Sequence, residues 1–141
     1  MVVFKSKVDY RKAQRKIQKT KLAIIDASGG TVGDIVDLGK SHAKSIAPYR
    51  TGKTARLIMG RVKKTANGFE GSIIARNPTP NKMYGGGTFN LVRWMHATRG
   101  VQFGKKHIKS GSPTFMYQTS TWLKGKKISV AKGHFNRINI K

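Results

Sequence analysis

The chain has 141 residues, with 29 Lys and Arg against 5 Asp and Glu and no Cys, so its formal net charge is +24. This length predicts a single domain over 1–141. The absence of Cys excludes disulfides and thiolate zinc sites, and no apolar run approaches the roughly 20 residues of a membrane span. An apolar fraction of 38% is low for a compact globule, so we expect extended N- and C-terminal arms or surfaces covered by other subunits.

The positive charge is concentrated after residue 37. Residues 1–37 hold eight basic and four acidic side chains, whereas residues 38–141 hold 21 basic side chains against Glu70 alone. Such a surface repels itself and attracts polyanions, so nucleic acid is the first partner to consider and an anionic membrane the second. The N-terminus lacks an apolar signal core, and we therefore expect a cytoplasmic protein without a membrane partner.

The first predicted element is a long amphipathic helix from about Val8 to Ile46. Apolar residues recur there at helical spacing, at Leu22, Ile25, Val32, Val36, Ala43 and Ile46. The stretch "ASGGTVGD" (27–34) favours an interruption with a second segment capped near Thr31, because each glycine costs about 1 kcal/mol relative to Ala inside a helix. Unbroken, residues 12–46 would span about 50 Å. Pro48 ends the helix on either interpretation.

A β-hairpin is predicted at residues 55–76, which makes a small antiparallel sheet. Two β-prone runs flank "ANG" (66–68), where Asn67-Gly68 supplies the positive φ of a tight turn. In the second run, one face holds Phe69, Ile73 and Ala75, and the other holds Glu70, Ser72, Ile74 and Arg76.

The remaining residues predict a loop and two short helices. Prolines and a glycine run over 77–88 indicate the loop. Asn90 caps a short helix near 90–99, and a second helix near 113–124 follows Pro113. The apolar face of that second helix comprises Phe115, Met116, Thr119, Trp122 and Leu123. The tail from Lys126 to Lys141 is predicted to be an arm, and the overall class is α+β.

Catalysis has little support in the sequence, and we expect no enzyme activity, no cofactor and no metal. Four of the five acids lie in the N-terminal helix region, where Asp34 and Asp37 are predicted to be ordinary solvated or salt-bridged charges. The four histidines lack metal-ligand spacing. A small metal-free ribonuclease that uses His107, which lies next to basic side chains, is a third and less favoured hypothesis.

One stretch, "APYRTGKT" (47–54), is a glycine short of the phosphate-binding loop G-x-x-x-x-G-K-[ST]. Ala47 replaces the first glycine, and Pro48 removes a backbone N–H. A helix is predicted before the stretch and a strand after it, the reverse of the order that such a loop requires. We therefore predict no nucleotide site at Lys53.

The nucleic-acid signal is broad, without a base-reading motif. The candidate phosphate contacts are Lys63, Lys64, Lys105, Lys106, Lys109, Lys124, Lys126 and Lys127. No zinc-finger, homeodomain or RRM pattern accompanies them, which favours sequence-neutral contact with the backbone of the nucleic acid. Trp94 and Trp122 lie on apolar helical faces, so we expect them to be core residues rather than base-stacking platforms.

The order of these pieces resembles the tail-completion, or head-tail joining, proteins of long-tailed bacteriophages. Ala47, Pro48, Thr51 and Gly52 match the family's "aP-x-x-TG-x-L" element. Trp94, His96 and Thr98 match a "Y/W-x-E-x-GT" segment, with His96 in place of the acid, and Pro113 and Phe115 match a "P-x-PF" helix start. The resemblance implies that "APYRTGKT" is a helix-to-strand corner at which Gly52 turns the chain.

The same resemblance implies a non-enzymatic structural protein of the virion neck, a tail-completion or tail-terminator component. Such proteins form rings, commonly hexameric, between neighbouring neck, portal-side and tail tube proteins, with double-stranded DNA passing through the lumen and no base being read. The implied location is the head-tail junction of the virion, and the host cytoplasm during assembly. The charge alone leaves an alternative open, a stand-alone sequence-neutral nucleic-acid-binding protein of ribosomal or DNA-packaging type.

Overall fold

The computed structural model of the chain describes residues 10–48, 52–76, 78–80, 88–90, 92, 111–112 and 114–138. Its elements in chain order are α1 (Tyr10–Ile46), α2 (Lys53–Arg56), β1 (Ile58–Thr65), β2 (Gly68–Ala75), β3 (Pro78–Pro80), β4 (Thr88–Asn90) and α3 (Phe115–Phe135). β1 and β2 form an antiparallel hairpin, and β3 pairs with β4 in a second antiparallel sheet. The predicted α+β class is confirmed.

Helix α1 is one continuous helix of 37 residues, about 55 Å long at about 1.5 Å per residue. The predicted interruption at residues 27–34 is therefore wrong. Thr31, predicted to cap a second segment, lies inside α1 and is only 8% exposed. Its Oγ1 donates a hydrogen bond to the Ala27 carbonyl oxygen at 2.7 Å, so the hydroxyl is satisfied within the helix. α1 ends at Ile46, as Pro48 predicts.

Two glycines of α1 lie where other elements approach the helix closely. A Cβ added at Gly29 would lie 3.0 Å from Phe69 Cζ, and one added at Gly30 would lie 2.8 Å from His134 Cε1. Both distances are shorter than ordinary van der Waals contact. Packing against the hairpin and α3 therefore offsets the low helix propensity of these residues, which is why α1 does not break.

The β1–β2 hairpin packs along the second half of α1. Phe69 contacts α1 at Gly29 and Ile73 contacts it at Gly39, so β2 runs parallel to the helix. The predicted alternation along β2 is confirmed, because Phe69 and Ile73 face α1 whereas Glu70 is exposed. This side of the sheet is one wall of the core.

The hairpin is shorter than predicted. Residues 55–56 belong to α2, and the paired strands cover Ile58–Ala75. Thr65 pairs with Gly68, so the turn residues are Ala66 and Asn67 rather than the predicted Asn67-Gly68. Gly68, with φ of 143°, is the first residue of β2.

Helix α3 runs antiparallel to α1 on its other flank. Leu123 packs against α1 at Gly39, and His134 packs at Gly30. The helix was predicted to end near 124 and to be followed by an arm, and this is wrong for residues 126–135. Val130 is half-buried, and His134 Nε2 lies 2.7 Å from Asp34 Oδ2, so contacts with α1 hold the added turns.

The core lies where the C-terminal end of α1 meets the base of the hairpin and the start of α3. Its buried residues are Ala43, Ala47, Ile58, Val92 and Phe115. The backbone N–H of Ser112 donates a hydrogen bond to the Ile46 carbonyl oxygen at 2.8 Å. Gly111 has φ of 91° and lies against the Ala47 carbonyl, where a Cβ would clash. The chain entering α3 is therefore fastened to the end of α1.

The predicted apolar faces of α3 and α1 agree with the structure to different extents. The predicted apolar face of α3 is confirmed, since Phe115 and Thr119 are buried and Met116, Trp122 and Leu123 are half-buried. Leu22, predicted on the apolar stripe of α1, is 61% exposed because α3 and the hairpin pack against the second half of the helix.

The region between the hairpin and α3 is described only in part. Within the predicted loop at 77–88, residues 78–80 form β3 and residue 88 is the first of β4, and the two strands pair. The predicted helix near 90–99 lies outside the described residues apart from Asn90, the last residue of β4, and Val92, which is buried. The predicted N-terminal arm and residues 139–141 also lie outside them.

Alanine substitution at Gly30 and at Gly33 tests whether close packing makes glycine necessary at a given position of α1. An added Cβ at Gly33 would meet no described atom within 4 Å. We expect Gly33→Ala to raise the free energy of unfolding by about 1 kcal/mol, through helix propensity alone. Gly30→Ala should give no such gain, because its Cβ displaces the His134 ring. Urea unfolding followed by circular dichroism measures both, and equal stabilisation by the two variants would contradict close packing at Gly30.

Candidate nucleic-acid interface

The described candidate lysines lie on the hairpin and on α3, and all are exposed. These residues are Lys63, Lys64, Lys124, Lys126 and Lys127. The other three candidates, Lys105, Lys106 and Lys109, lie outside the described residues.

The two hairpin lysines point to opposite faces of the sheet, as neighbouring residues of a strand do. Lys63 pairs with Glu70 on the face directed away from α1. Lys64 pairs with Phe69 on the face directed toward α1, next to the turn. They therefore do not form a single phosphate-binding pair.

The three lysines of α3 are divided between two sides of that helix. Lys124 and Lys127 border a groove of about 400 Å³ between α1, β2 and α3. The apolar side chains lining this groove are Val32, Ile35, Val36, Ile73, Met116 and Leu123. Lys126 lies instead over the Trp122 ring, with Nζ 5.9 Å from the ring centroid. All three lysines were predicted to be phosphate contacts, and the helix divides them between two sides.

Trp122 takes part in the packing of α3 against α1. Its ring stacks on the His42 ring, with centroids 4.2 Å apart and planes inclined by 8°. His42 Nδ1 is hydrogen-bonded to Oγ1 of Thr119 at 3.1 Å, and Thr119 is buried. A base would have to displace His42 to stack on this face of Trp122, so the arrangement favours the structural role predicted for the tryptophan.

The acidic residues of α1 face the end of α3. Asp34 and Asp37 line a cleft of about 520 Å³ together with His134 and Arg137. The short contact between Asp34 and His134 joins the two helices, so Asp34 agrees with the prediction of an ordinary solvated or salt-bridged charge. Within the described ranges, no three His, Cys, Asp or Glu side chains are grouped as metal ligands would be.

The stretch "APYRTGKT" turns the chain from α1 toward β1. Ala47 is buried in the core, and Gly52 has φ of 71° before the short helix α2. Thr54, which would have to face a Mg²⁺ ion in a phosphate-binding loop, is only 7% exposed. Helix α1 precedes the stretch and β1 follows α2, so the order of elements matches a helix-to-strand corner. Residues 49–51 lie outside the described ranges.

A group of five basic residues on one face of α1, Arg11, Lys12, Arg15, Lys16 and Lys19, was not among the predicted site residues. Residues 10–25 contain six Lys and Arg and no acid, whereas residues 26–37 contain three Asp and no Lys or Arg. Averaging over residues 1–37 concealed this separation. The i, i+4 spacing of Arg11, Arg15 and Lys19 was the available signal, because it places these side chains on one helical face.

Comparison of the chain with protein families, curated proteins and solved structures found no match. Among the described helices, none is both long enough and apolar enough to cross a membrane.

The corner geometry predicts that Lys53 has no role in nucleotide binding. Adding Mg-ATP should leave the thermal unfolding midpoints of the native chain and of Lys53→Ala equally unchanged, because the described residues of the stretch, 47–48 and 52–54, form a helix-to-strand corner. Differential scanning fluorimetry measures this effect, with Lys44→Ala as a charge-matched control. A midpoint that rises with Mg-ATP in the native chain and in Lys44→Ala, but not in Lys53→Ala, would contradict it.

Proposed function

We propose that the chain is a non-enzymatic structural protein that assembles into a ring around double-stranded DNA at the virion neck, as a tail-completion or head-tail connector component. The strongest support is that residues from two of the family motifs pack in the same core. Ala47 and Phe115 belong to different motifs that carry the phage-family resemblance, and both are buried in the same cluster. Gly52, the third such position, adopts the left-handed backbone conformation that a corner needs.

Exposed apolar side chains support assembly with other subunits. Large hydrophobic residues are exposed on α1, on the hairpin and on α3, and include Tyr10, Ile17, Met59, Val62 and Ile128. Within the described residues, the fully buried core is small and lies at one end of α1. Contacts between copies, or with neighbouring neck, portal-side and tail tube proteins, would cover part of this surface.

The charge supports DNA as the material that the ring encloses. With a net charge of +24, each copy attracts a polyanion strongly over a distance of about 10 Å at 0.1 M salt. A passing genome presents every sequence in turn, so contacts with phosphates suffice and no base-reading element is needed. The proposed location is the head-tail junction, and the host cytoplasm before assembly.

A stand-alone nucleic-acid-binding protein is the second candidate, and the charge favours it equally. The exposed apolar residues favour the ring, because contacts between subunits would cover part of them.

Antibody labelling of purified virions tests the proposed location. Immunogold particles in negative-stain images should mark the junction between head and tail, because the ring is proposed to remain in the assembled particle. Labelling with non-immune serum is the control. Finding the protein in lysates of infected cells and never in virions would contradict the neck assignment and favour the second candidate.

The assembly state should depend on a partner. Copies that each carry +24 repel one another, so we expect the isolated chain at low salt to be a monomer or a weak oligomer. Short duplex DNA should shift it to a larger, defined species by offsetting the repulsion. Multi-angle light scattering measures the mass in each case, and a stable hexamer at low salt without any partner would contradict this expectation.

A further inference from the structure

The first half of α1 has two opposite faces of different chemistry. One face carries Arg11, Lys12, Arg15, Lys16 and Lys19, at i, i+4 and i, i+8 spacing. The other carries Tyr10, Ile17 and Ile24, which recur every seven residues. At about 100° per residue, the two sets lie on opposite sides of the helix.

The basic face is directed to solvent. Every residue from 10 to 19 is exposed, and none of them belongs to the described core. The described end of α3 reaches α1 near Lys19, Thr20, Ala23 and Ala27, which line a cleft with Arg137 and Ile138. Lys19 therefore lies at the edge of the packed part of α1, and residues 11–16 of the basic face extend beyond it.

The electrostatics of this segment favour a bound anion. The N-terminus of a helix carries a partial positive charge, and the first turn of α1 holds Arg11 and Lys12 and no acidic residue, although Asp9 directly precedes it in the sequence. Arg11 and Arg15, and then Arg15 and Lys19, are like-charge pairs at i, i+4, which repel each other. An anion bound along this face would offset both the positive charge of the helix terminus and the repulsion between these side chains.

We propose that the basic face of α1, centred on Arg11, Arg15, Lys16 and Lys19, binds the phosphate backbone of duplex DNA. Residues 11–19 distribute five basic side chains over about 12 Å of helix axis. Duplex DNA carries one negative charge per about 1.7 Å of its own axis, so a line of positive charge matches it better than a compact anion site would. The proposal deepens the proposed function, since it rests on DNA as the partner, but it does not require the ring.

The opposite face makes an anionic membrane the weaker partner. Binding of an amphipathic helix to a membrane surface scales with the apolar area that it buries. Here one large apolar side chain occurs every seven residues, about 10 Å apart along the axis, which is a thin stripe. Ile17 and Ile24 are nevertheless the residues that a membrane would need, and they provide the test against it.

The test is the salt dependence of binding to a short duplex of mixed sequence, measured by fluorescence anisotropy with the full chain. The variant Arg11→Gln/Arg15→Gln/Lys19→Gln removes three proposed contacts and keeps good helix formers. At about 0.9 per phosphate contact, the slope of log affinity against log salt should flatten by about 2.7 units. Circular dichroism verifies that α1 remains helical.

A matched control removes the same charge elsewhere. Lys44→Gln/Arg61→Gln/Lys132→Gln replaces three exposed basic residues outside the basic face. The control should keep the native slope, and equal flattening by both triple variants, or none in the α1 variant, would overturn the proposal.

Cosedimentation with phosphatidylglycerol vesicles provides the second arm. Binding to vesicles that Ile17→Ser/Ile24→Ser abolishes, together with an unchanged DNA slope in the α1 variant, would assign the helix to a membrane instead. Failure here leaves the virion-labelling result unaffected, so the two proposals are distinguishable.

Discussion

The structure depends on the close approach of two elements to the second half of α1. The hairpin reaches the helix at Gly29 and Gly39, and α3 reaches it at Gly30 and Gly39. Side chains at these positions would hold the neighbouring elements away from the helix. The packing that the glycines permit stabilises α1 where its intrinsic propensity is lowest, and it brings Phe115 to the end of the helix, where the core is complete.

Packing against α3 and the hairpin covers α1 from about Lys19 to its C-terminal end, so the two ends of the helix lie in different surroundings. Residues 26–37 carry the acids, and Asp34 holds α3 through His134. Residues 10–25 carry six basic side chains and no acid, and lie largely outside the packed region. A long helix packed at one end and basic at the other is suited to reach from the core of the protein to a polyanion.

The elements predicted best from the sequence are those with strong local signals. The alternation from Phe69 to Ile73 and the turn at "ANG" locate the hairpin to within a few residues, because the signals for strands and turns are local. The continuity of α1 and the extra turns of α3 were not predictable in this way, since both depend on tertiary contacts such as that between His134 and Asp34. Among the candidate site residues, the five described lysines are exposed, and the division of Lys124, Lys126 and Lys127 between two sides of α3 follows from how that helix packs.

α1 is one helix whose second half packs against the hairpin and α3, and we propose that its first half binds DNA. Hydrogen exchange along the full chain, read by mass spectrometry, tests both parts at once. Residues 27–46 should be strongly protected whether or not DNA is present, whereas residues 10–22 should exchange fast in the free protein and slowly with duplex DNA bound. Uniform protection along α1 in the free protein, or fast exchange of residues 10–22 in the presence of saturating DNA, would contradict the account.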